Sequence, residues 1–311
     1  IEQELMALRE ELAGLNEVLA DDTVLKRLVI KEIEADAKKY GDARRTLLEV
    51  AQRASLDIAA VDEPMTVIVS QKGWVRTRTG HSVDVAALAF KQGDELHSVH
   101  LCRSIHNLYA LDTNGRAYSV PVSALPGGRG DGVPLPTLID VQDSARIVQH
   151  FAGSDDVKLA VLTEQGMGFA CTARDLQSRV KAGKSFVNLA AGDAILKLAR
   201  VDENDLYLAC LSSDGRLLNF SLVELKELSS GGKGVILMGL DDKATLLDAM
   251  PNDGMAVLVQ HTARGGKAQE LRVSGSNLQA FVGGRAKKGK VIDAKLKPSG
   301  LAKVVIPSLL G

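Results

Sequence analysis

Residues 206–220 read LYLACLSSDGRLLNF: an apolar run, a polar turn ending in Gly215, and a second apolar run. This is the pattern of two antiparallel strands joined by a tight turn. It recurs as VIVSQKGWVRTR at 67–78, LYALDTNGRAYSV at 108–120, LAVLTEQGMGFACT at 159–172 and VLVQHTARGGKAQELRV at 257–273. With Gly73, Gly115, Gly166, Gly215 and Gly266 taken as equivalent, the spacings are 42, 51, 49 and 51 residues. One small sheet cannot bury both of its faces alone, so a repeat of this length in all-β units predicts sheets stacked radially. The expected fold is an all-β, five-bladed propeller over residues 55–311, each blade four-stranded, the array closed or open. The tryptophan-aspartate dipeptide of the commonest propellers is absent, as is the usual kelch pattern, so these blades are of another kind.

Each hairpin is followed by a second recurring element, a glycine-containing loop with a basic residue and then an extended run. The five are LAFKQGDELHSV (88–99), LPGGRGDGVPL (125–135), LQSRVKAGKSFVNL (176–189), ELSSGGKGVILMGL (227–240) and FVGGRAKKGKVIDA (281–294). A phosphate-binding P-loop needs a Ser or Thr after its Gly-Lys and a helix to open. Lys233 is followed instead by Gly234 and a strand-like run, which argues against a nucleotide site. Radial blades place equivalent loops on one rim, so a cation recurring once per blade makes an arc that a polyanion can follow. The candidate contacts are Arg129, Lys181, Lys184, Lys233, Arg285, Lys287, Lys288 and Lys290. Lys91 belongs to the same series but has Asp94 nearby. The loop glycines are expected to let the backbone approach phosphate.

Residues 1–54 read as helical. Ile1, Leu5, Leu8, Leu12, Leu15 and Leu19 step by four and three, the seam of a coiled coil or of an antiparallel arm. ADDT then supplies capping side chains for a second helix ending at Gly41. Tyr40 beside that end reads as a packing residue. The chain opens on Ile1 rather than methionine, which we read as the start of a piece of a longer protein.

Net charge is -1, but it is unevenly spread: from residue 271 onward eight bases face the single acid Asp293. Three widely spaced cysteines, Cys102, Cys171 and Cys210, fit a reducing compartment better than a disulfide framework. No apolar run reaches the roughly 18 residues of a membrane span. HSVHLCRSIH places His97, His100, Cys102 and His106 together, but strand alternation sends His97 and His100 to opposite faces, so a metal site is not expected. DDVK at 155–158, DEND at 202–205 and GGRGD at 127–131 read as turns.

IEADAKKYGDARRTLLEV resembles the segment that follows the coiled coil in A subunits of bacterial type IIA topoisomerases, and the five repeats resemble their C-terminal β-propeller, or β-pinwheel. The resemblance spans nearly the whole chain. Gyrase A subunits carry a box close to QRRGGKG after the first hairpin. Here GHSVDVAALAFKQGDEL stands in that place, and the nearest relic is SSGGKG in the fourth repeat. With QKGWVRTRTGH and five repeats, the chain is similar to the topoisomerase IV branch, gyrase being the alternative. The resemblance implies a non-catalytic part that binds duplex DNA within an ATP-dependent enzyme. The catalytic tyrosine would lie upstream of this chain, and ATP and magnesium would belong to the parent enzyme, leaving no cofactor here. It further implies a homodimer of A subunits, a heterotetramer with the B subunit of topoisomerase IV, a cytoplasmic, nucleoid-associated location, and a bacterial condensin as a conceivable partner.

The residue chemistry points the same way. Aromatic content is 4% with one tryptophan, Trp74, which leaves little material for stacking unpaired bases. Loops of Lys, Arg and Gly suit backbone contact more than base reading. A propeller scaffold that binds protein partners remains the other functional class.

Overall fold

The computed structural model describes residues 1–42, 61–128, 130–142, 144–262, 266–293 and 295–304. It divides into two compact units, Ile1–Asp57 and Ile58–Gly311. In the first, α1 (Glu2–Ala20) and α2 (Asp22–Tyr40) are separated by Asp21, whose carboxylate caps α2 by accepting from the Thr23 amide at 2.8 Å. The leucine stripe of α1 is exposed. Tyr40 is 71% exposed with the Lys39 ammonium 4.9 Å from its ring, so it is not the packing residue expected from sequence. The junction after residue 42 lies largely outside the described residues.

The second unit is built from the hairpins. The first repeat supplies β1 (Pro64–Ser70), β2 (Trp74–Thr79) and β3 (Leu96–Arg103); the second, β4 (Asn107–Asp112), β5 (Arg116–Pro121), β6 (Val133–Pro134) and β7 (Ile147–Gly153). The third supplies β8 (Lys158–Thr163), β9 (Met167–Thr172), β10 (Lys184–Ser185) and β11 (Ile195–Val201). The fourth gives β12 (Tyr207–Ser212), β13 (Arg216–Ser221), β14 (Val235–Ile236) and β15 (Leu246–Asn252); the fifth, β16 (Ala256–Thr262), β17 (Ala268–Ser274), β18 (Lys290–Val291) and β19 (Lys297–Lys303). The sheets run β3-β1-β2-β6, β7-β4-β5-β10, β11-β8-β9-β14, β15-β12-β13-β18 and β19-β16-β17. Five blades are present, but the fourth strand of each of the first four belongs to the next repeat. The expectation of five four-stranded blades therefore fails at the fifth: among the described residues β17 has no strand on its outer edge.

The hairpin turns explain their glycines. The Gly215 amide donates to the Ser212 carbonyl at 3.0 Å, and Gly215 sits at φ 81°, where a side chain is disfavoured. In the first four hairpins the buried residue that opens the turn caps it: Ser70, Asp112, Thr163 and Ser212 accept from the amides of Trp74, Arg116, Met167 and Arg216. Every inner strand carries one extra residue near that end, namely His97, Val148, Leu196, Leu247 or Ser299, a bulge that strengthens the local twist.

Apolar residues on facing sides of successive blades form four cores, one per junction. Tyr109 and Phe169 lie in the core between blades two and three, Leu218 and Leu237 in the next. The far face of the first blade is covered by its own chain: Thr66 donates to the Gly80 carbonyl at 2.6 Å, Ser70 to Asp94 at 2.6 Å, and Arg76 to the Ala89 carbonyl at 2.7 Å. Residues 81–95, which in later repeats would cross to the preceding blade, fold back on β1 and β2.

Candidate nucleic-acid interface

The loop before each crossing strand arches off the outer edge of the preceding blade. On the third blade the Ala170 amide donates to the Lys226 carbonyl and the Leu228 amide to the Ala170 carbonyl, after which the chain leaves the edge and returns as Val235–Ile236 paired with Gly168–Met167. The same path is taken at Thr77 and Gly127 on the first blade, at Ser119 and Ser178 on the second, and at Asn219 and Val282 on the fourth. The described residues 130–132 and the arches 179–183, 229–234 and 284–289 therefore occupy equivalent places on four successive blades.

The return of each arch is fixed by a glycine. Gly234 has φ 79°, and a Cβ there would stand 2.3 Å from the Gly168 carbonyl oxygen. Gly132, Gly183 and Gly289 hold the same position and meet Val75, Ala117 and Leu217 in the same way. These four glycines thus bring the chain close to the neighbouring blade, a role the sequence reading did not assign to them. A pair of arginines unnoticed in the sequence braces the arches. Arg116 donates to the Ala182 carbonyl at 2.7 Å and to Gly183 at 2.9 Å, and Arg76 to Gly130 at 2.8 Å. The available signal was an arginine one or three residues after the hairpin glycine.

The predicted cations divide into three groups. Lys181, Lys233, Lys287 and Lys290 are exposed, and their side chains have no hydrogen bond or ion pair among the described residues. Lys184 is half-buried, its ammonium 5.5 Å from the centre of the Phe186 ring. Arg285 donates to the Ile236 carbonyl at 2.6 Å, and Lys288 pairs with Asp241, so both already hold protein partners. Arg129 lies outside the described residues. The cations share a loop but not one position within it: Lys233 and Lys288 immediately precede the fixed glycine, Lys181 and Lys287 stand two before it, and Lys184 and Lys290 follow it. Lys91 is committed elsewhere, with its ammonium 3.5 Å over the Trp74 ring. Lys91→Ala should therefore leave duplex affinity within about twofold of the parent in a binding titration, since an exposed cation over an aromatic ring is worth only about 0.5–1 kcal/mol to the fold.

The histidine cluster departs from expectation in geometry. Because His97 is the bulge residue, it and His100 both face β7: His97 stacks edge-on against His150 with ring centres 5.4 Å apart, and His100 meets Phe151 at 6.2 Å. Burial, then the neighbouring histidines, lowers the His150 imidazole to about 3 and His100 to about 4. Among the described residues no group of three or more His, Cys, Asp or Glu is arranged to hold a metal ion. The 155–158 and 202–205 acids sit in turns, where Asp156 pairs with Arg174 and Asp202 and Asp205 with Lys303. The three cysteines are free and buried, and no helix of the described residues is long and apolar enough to cross a membrane.

The family model described as "DNA gyrase C-terminal domain, beta-propeller" matches residues 158–202 and 206–253, the third and fourth repeats. The chain is 36% identical over 301 residues to the A subunit of DNA topoisomerase 4 from Neisseria gonorrhoeae, covering 94% of this chain and 38% of that protein. It is 31% identical to the corresponding protein of Escherichia coli K12, again over 94% of this chain and 39% of the relative. The chain thus spans about two fifths of the length of these relatives. The E. coli ParC C-terminal domain superposes with TM-score 0.69 at 26% identity, covering 77% of this chain and 98% of that one. The gyrase A C-terminal domain superposes at 0.55 and 18% identity, a likeness of fold alone.

Proposed function

Since the chain belongs to the C-terminal β-propeller family of bacterial type IIA topoisomerase A subunits, we propose that it holds duplex DNA for strand passage as the DNA-binding end of the A subunit of a topoisomerase IV. One observation carries this reading: the arches of three successive blades present Lys181, Lys233 and Lys287, and the crossing strand after the last presents Lys290, all without protein partners among the described residues, along one outer edge. Cations spaced along a curved edge match the phosphates of a duplex laid against it and attract it through the field they share. The side chains offered are lysines on glycine-bounded loops, which contact phosphate and read no base. Bending 20–30 base pairs by 40–90° costs on the order of 1–6 kcal/mol, within reach of a few such contacts.

Topoisomerase IV is preferred to gyrase because the segment after the first hairpin lacks a glycine-basic box and folds back on its own blade. In this reading the unit has no turnover of its own. Cleavage, ATP and magnesium belong to other parts of a heterotetramer, in which a homodimer of A subunits joins the B subunits, and the assembly works on the nucleoid. Anisotropy of labelled 30-base-pair duplexes tests the proposal. The chain should bind AT-rich and GC-rich duplexes alike, each more tightly than a single strand of the same length, and affinity should fall steeply with salt. Preference for the single strand, or salt-independent binding, would overturn it.

A further inference from the structure

The arches account for the outer edge of four blades but leave the most basic part of the chain unexplained. Each connector from a crossing strand to the next inner strand passes over the end of the blades where the hairpin turns lie. The Leu237 amide donates to the Gly166 carbonyl and the Ser213 amide to the Thr245 carbonyl, so the third connector runs from the tip of one blade to the tip of the next. The last connector does the same, starting where the Ile292 amide donates to the Gly215 carbonyl and ending where Lys297 pairs with Thr262.

Counted from the first residue of the crossing strand to the first of the inner strand, residues 133–147 carry a net charge of -1, residues 184–195 carry 0 and residues 235–246 carry -1. Residues 290–297, KVIDAKLK, carry +2. From the second hairpin onward the tips follow the same division: DTNG, TEQG and SSDG each hold one acid and no base, whereas the fifth holds no acid and ends on Lys267. The first tip, SQKG, carries Lys72, which donates to the Gln92 carbonyl of its own capping segment at 3.5 Å. Thr262 pairs with Lys297 on one side and with Ala268, next to Lys267, on the other. Two strand spacings of about 4.8 Å therefore put the two lysines within about 10–12 Å across the tip of the blade. Lys267, Lys295 and Lys297 are exposed, and their side chains have no ion pair among the described residues.

We propose that the tip face of the fifth blade is a second phosphate-binding surface, so that a duplex following the outer edge turns at the fourth blade and crosses Lys290, Lys295, Lys297 and Lys267. This rests on the reading that the arches hold duplex DNA, and it adds a direction to that path: the grip is strongest at the C-terminal end of the array and weakest over the first blade, whose capping segment 81–95 is not basic. The acidic tip faces of the intervening blades keep the duplex on the edge until it reaches the fifth.

The test uses the 311-residue chain with duplexes of 15 and 40 base pairs across a salt series. The variant K267A/K295A/K297A should flatten the slope of log affinity against log salt by up to about 2.7 on the long duplex, at roughly 0.9 for each lost contact. It should change the slope by less than about 1 on the short one, which the edge alone can hold. The arch variant K181A/K233A/K287A should flatten the slope on both lengths. An unchanged slope on the long duplex for the tip variant, with the arch variant still defective, overturns the second surface and leaves the arches standing. A defect in the tip variant with none in the arch variant instead refutes the edge path, and with it the turn proposed here. Circular dichroism of each variant checks that the fold is retained.

Discussion

Replacing Gly234 by alanine is expected to cost about 3–4 kcal/mol of unfolding free energy, against about 1–2 for the same change at Gly215. Both residues have φ near 80°, and a left-handed conformation costs a residue with a Cβ roughly 1–2 kcal/mol. The gain from a less flexible unfolded chain is common to the two substitutions and cancels between them. They differ in surroundings. A Cβ at Gly215 meets nothing within 4 Å, whereas at Gly234 it falls 2.3 Å from the Gly168 carbonyl oxygen, backbone that moves only by pushing β14 off β9. Losing that two-residue ladder adds about 1 kcal/mol per hydrogen bond. Urea titrations followed by far-ultraviolet circular dichroism give the two costs. Equal values would show that the crossing strand is not held by close approach at Gly234.

Acid is expected to loosen the junction of the first two blades. His150 and His100 are lowered to about 3 and about 4 in the fold from an ordinary 6.5, so below pH 6.5 the unfolded chain takes up their protons first. The stability present above pH 6.5 is then lost as pH falls toward those folded-state values. At pH 4 the loss is on the order of 3 kcal/mol for each histidine, and the two do not add in full because the repulsion from His100 is already counted in the lowered His150. Both ring nitrogens of His150 are buried without a hydrogen-bond partner among the described residues, so a phenylalanine of similar shape removes the titration at little cost. The His150→Phe variant should match or exceed the parent at pH 7.5 and be more stable by about 2–3 kcal/mol at pH 4.5, read from urea unfolding followed by Trp74 fluorescence. A parallel pH profile in parent and variant would show that His150 is not the group that titrates. Carboxylates lowered in the fold, such as Asp94 and Asp202, affect both proteins alike and act at lower pH.

The array of blades was legible because its signal is repetition: five turns that need a glycine at positive φ leave a period in the sequence whatever their neighbours are. The exchange of outer strands was not legible. A two-residue strand such as Val133–Pro134 has no periodicity of its own, and nothing in LPGGRGDGVPL says whether it pairs with its own hairpin or with the one before. The clue was the glycine just before each crossing strand, which reads equally well as making room for phosphate and as making room for a carbonyl. His97 and His100 were sent to opposite faces because alternation assumes an unbroken strand, and a one-residue bulge reverses every such assignment. Among the site residues, the shared loop was visible in the sequence. The engagement of Arg285 with Ile236 and of Lys288 with Asp241 was not, because both partners lie some fifty residues away in the chain.

Whether arches on successive blades form one path for a duplex is read most directly from the salt dependence of duplex affinity for a variant with Lys181, Lys233, Lys287 and Lys290 all changed to alanine. The slope of log affinity against log salt should flatten by up to about 3.6, at roughly 0.9 for each phosphate contact. The loss of affinity should be equal on AT-rich and GC-rich duplexes, because phosphates carry no base identity. A variant that folds as the parent does and binds duplex with unchanged affinity and slope would contradict the single path, and the lysine between Gly232 and Gly234 would then be only a solvated residue on a structural loop.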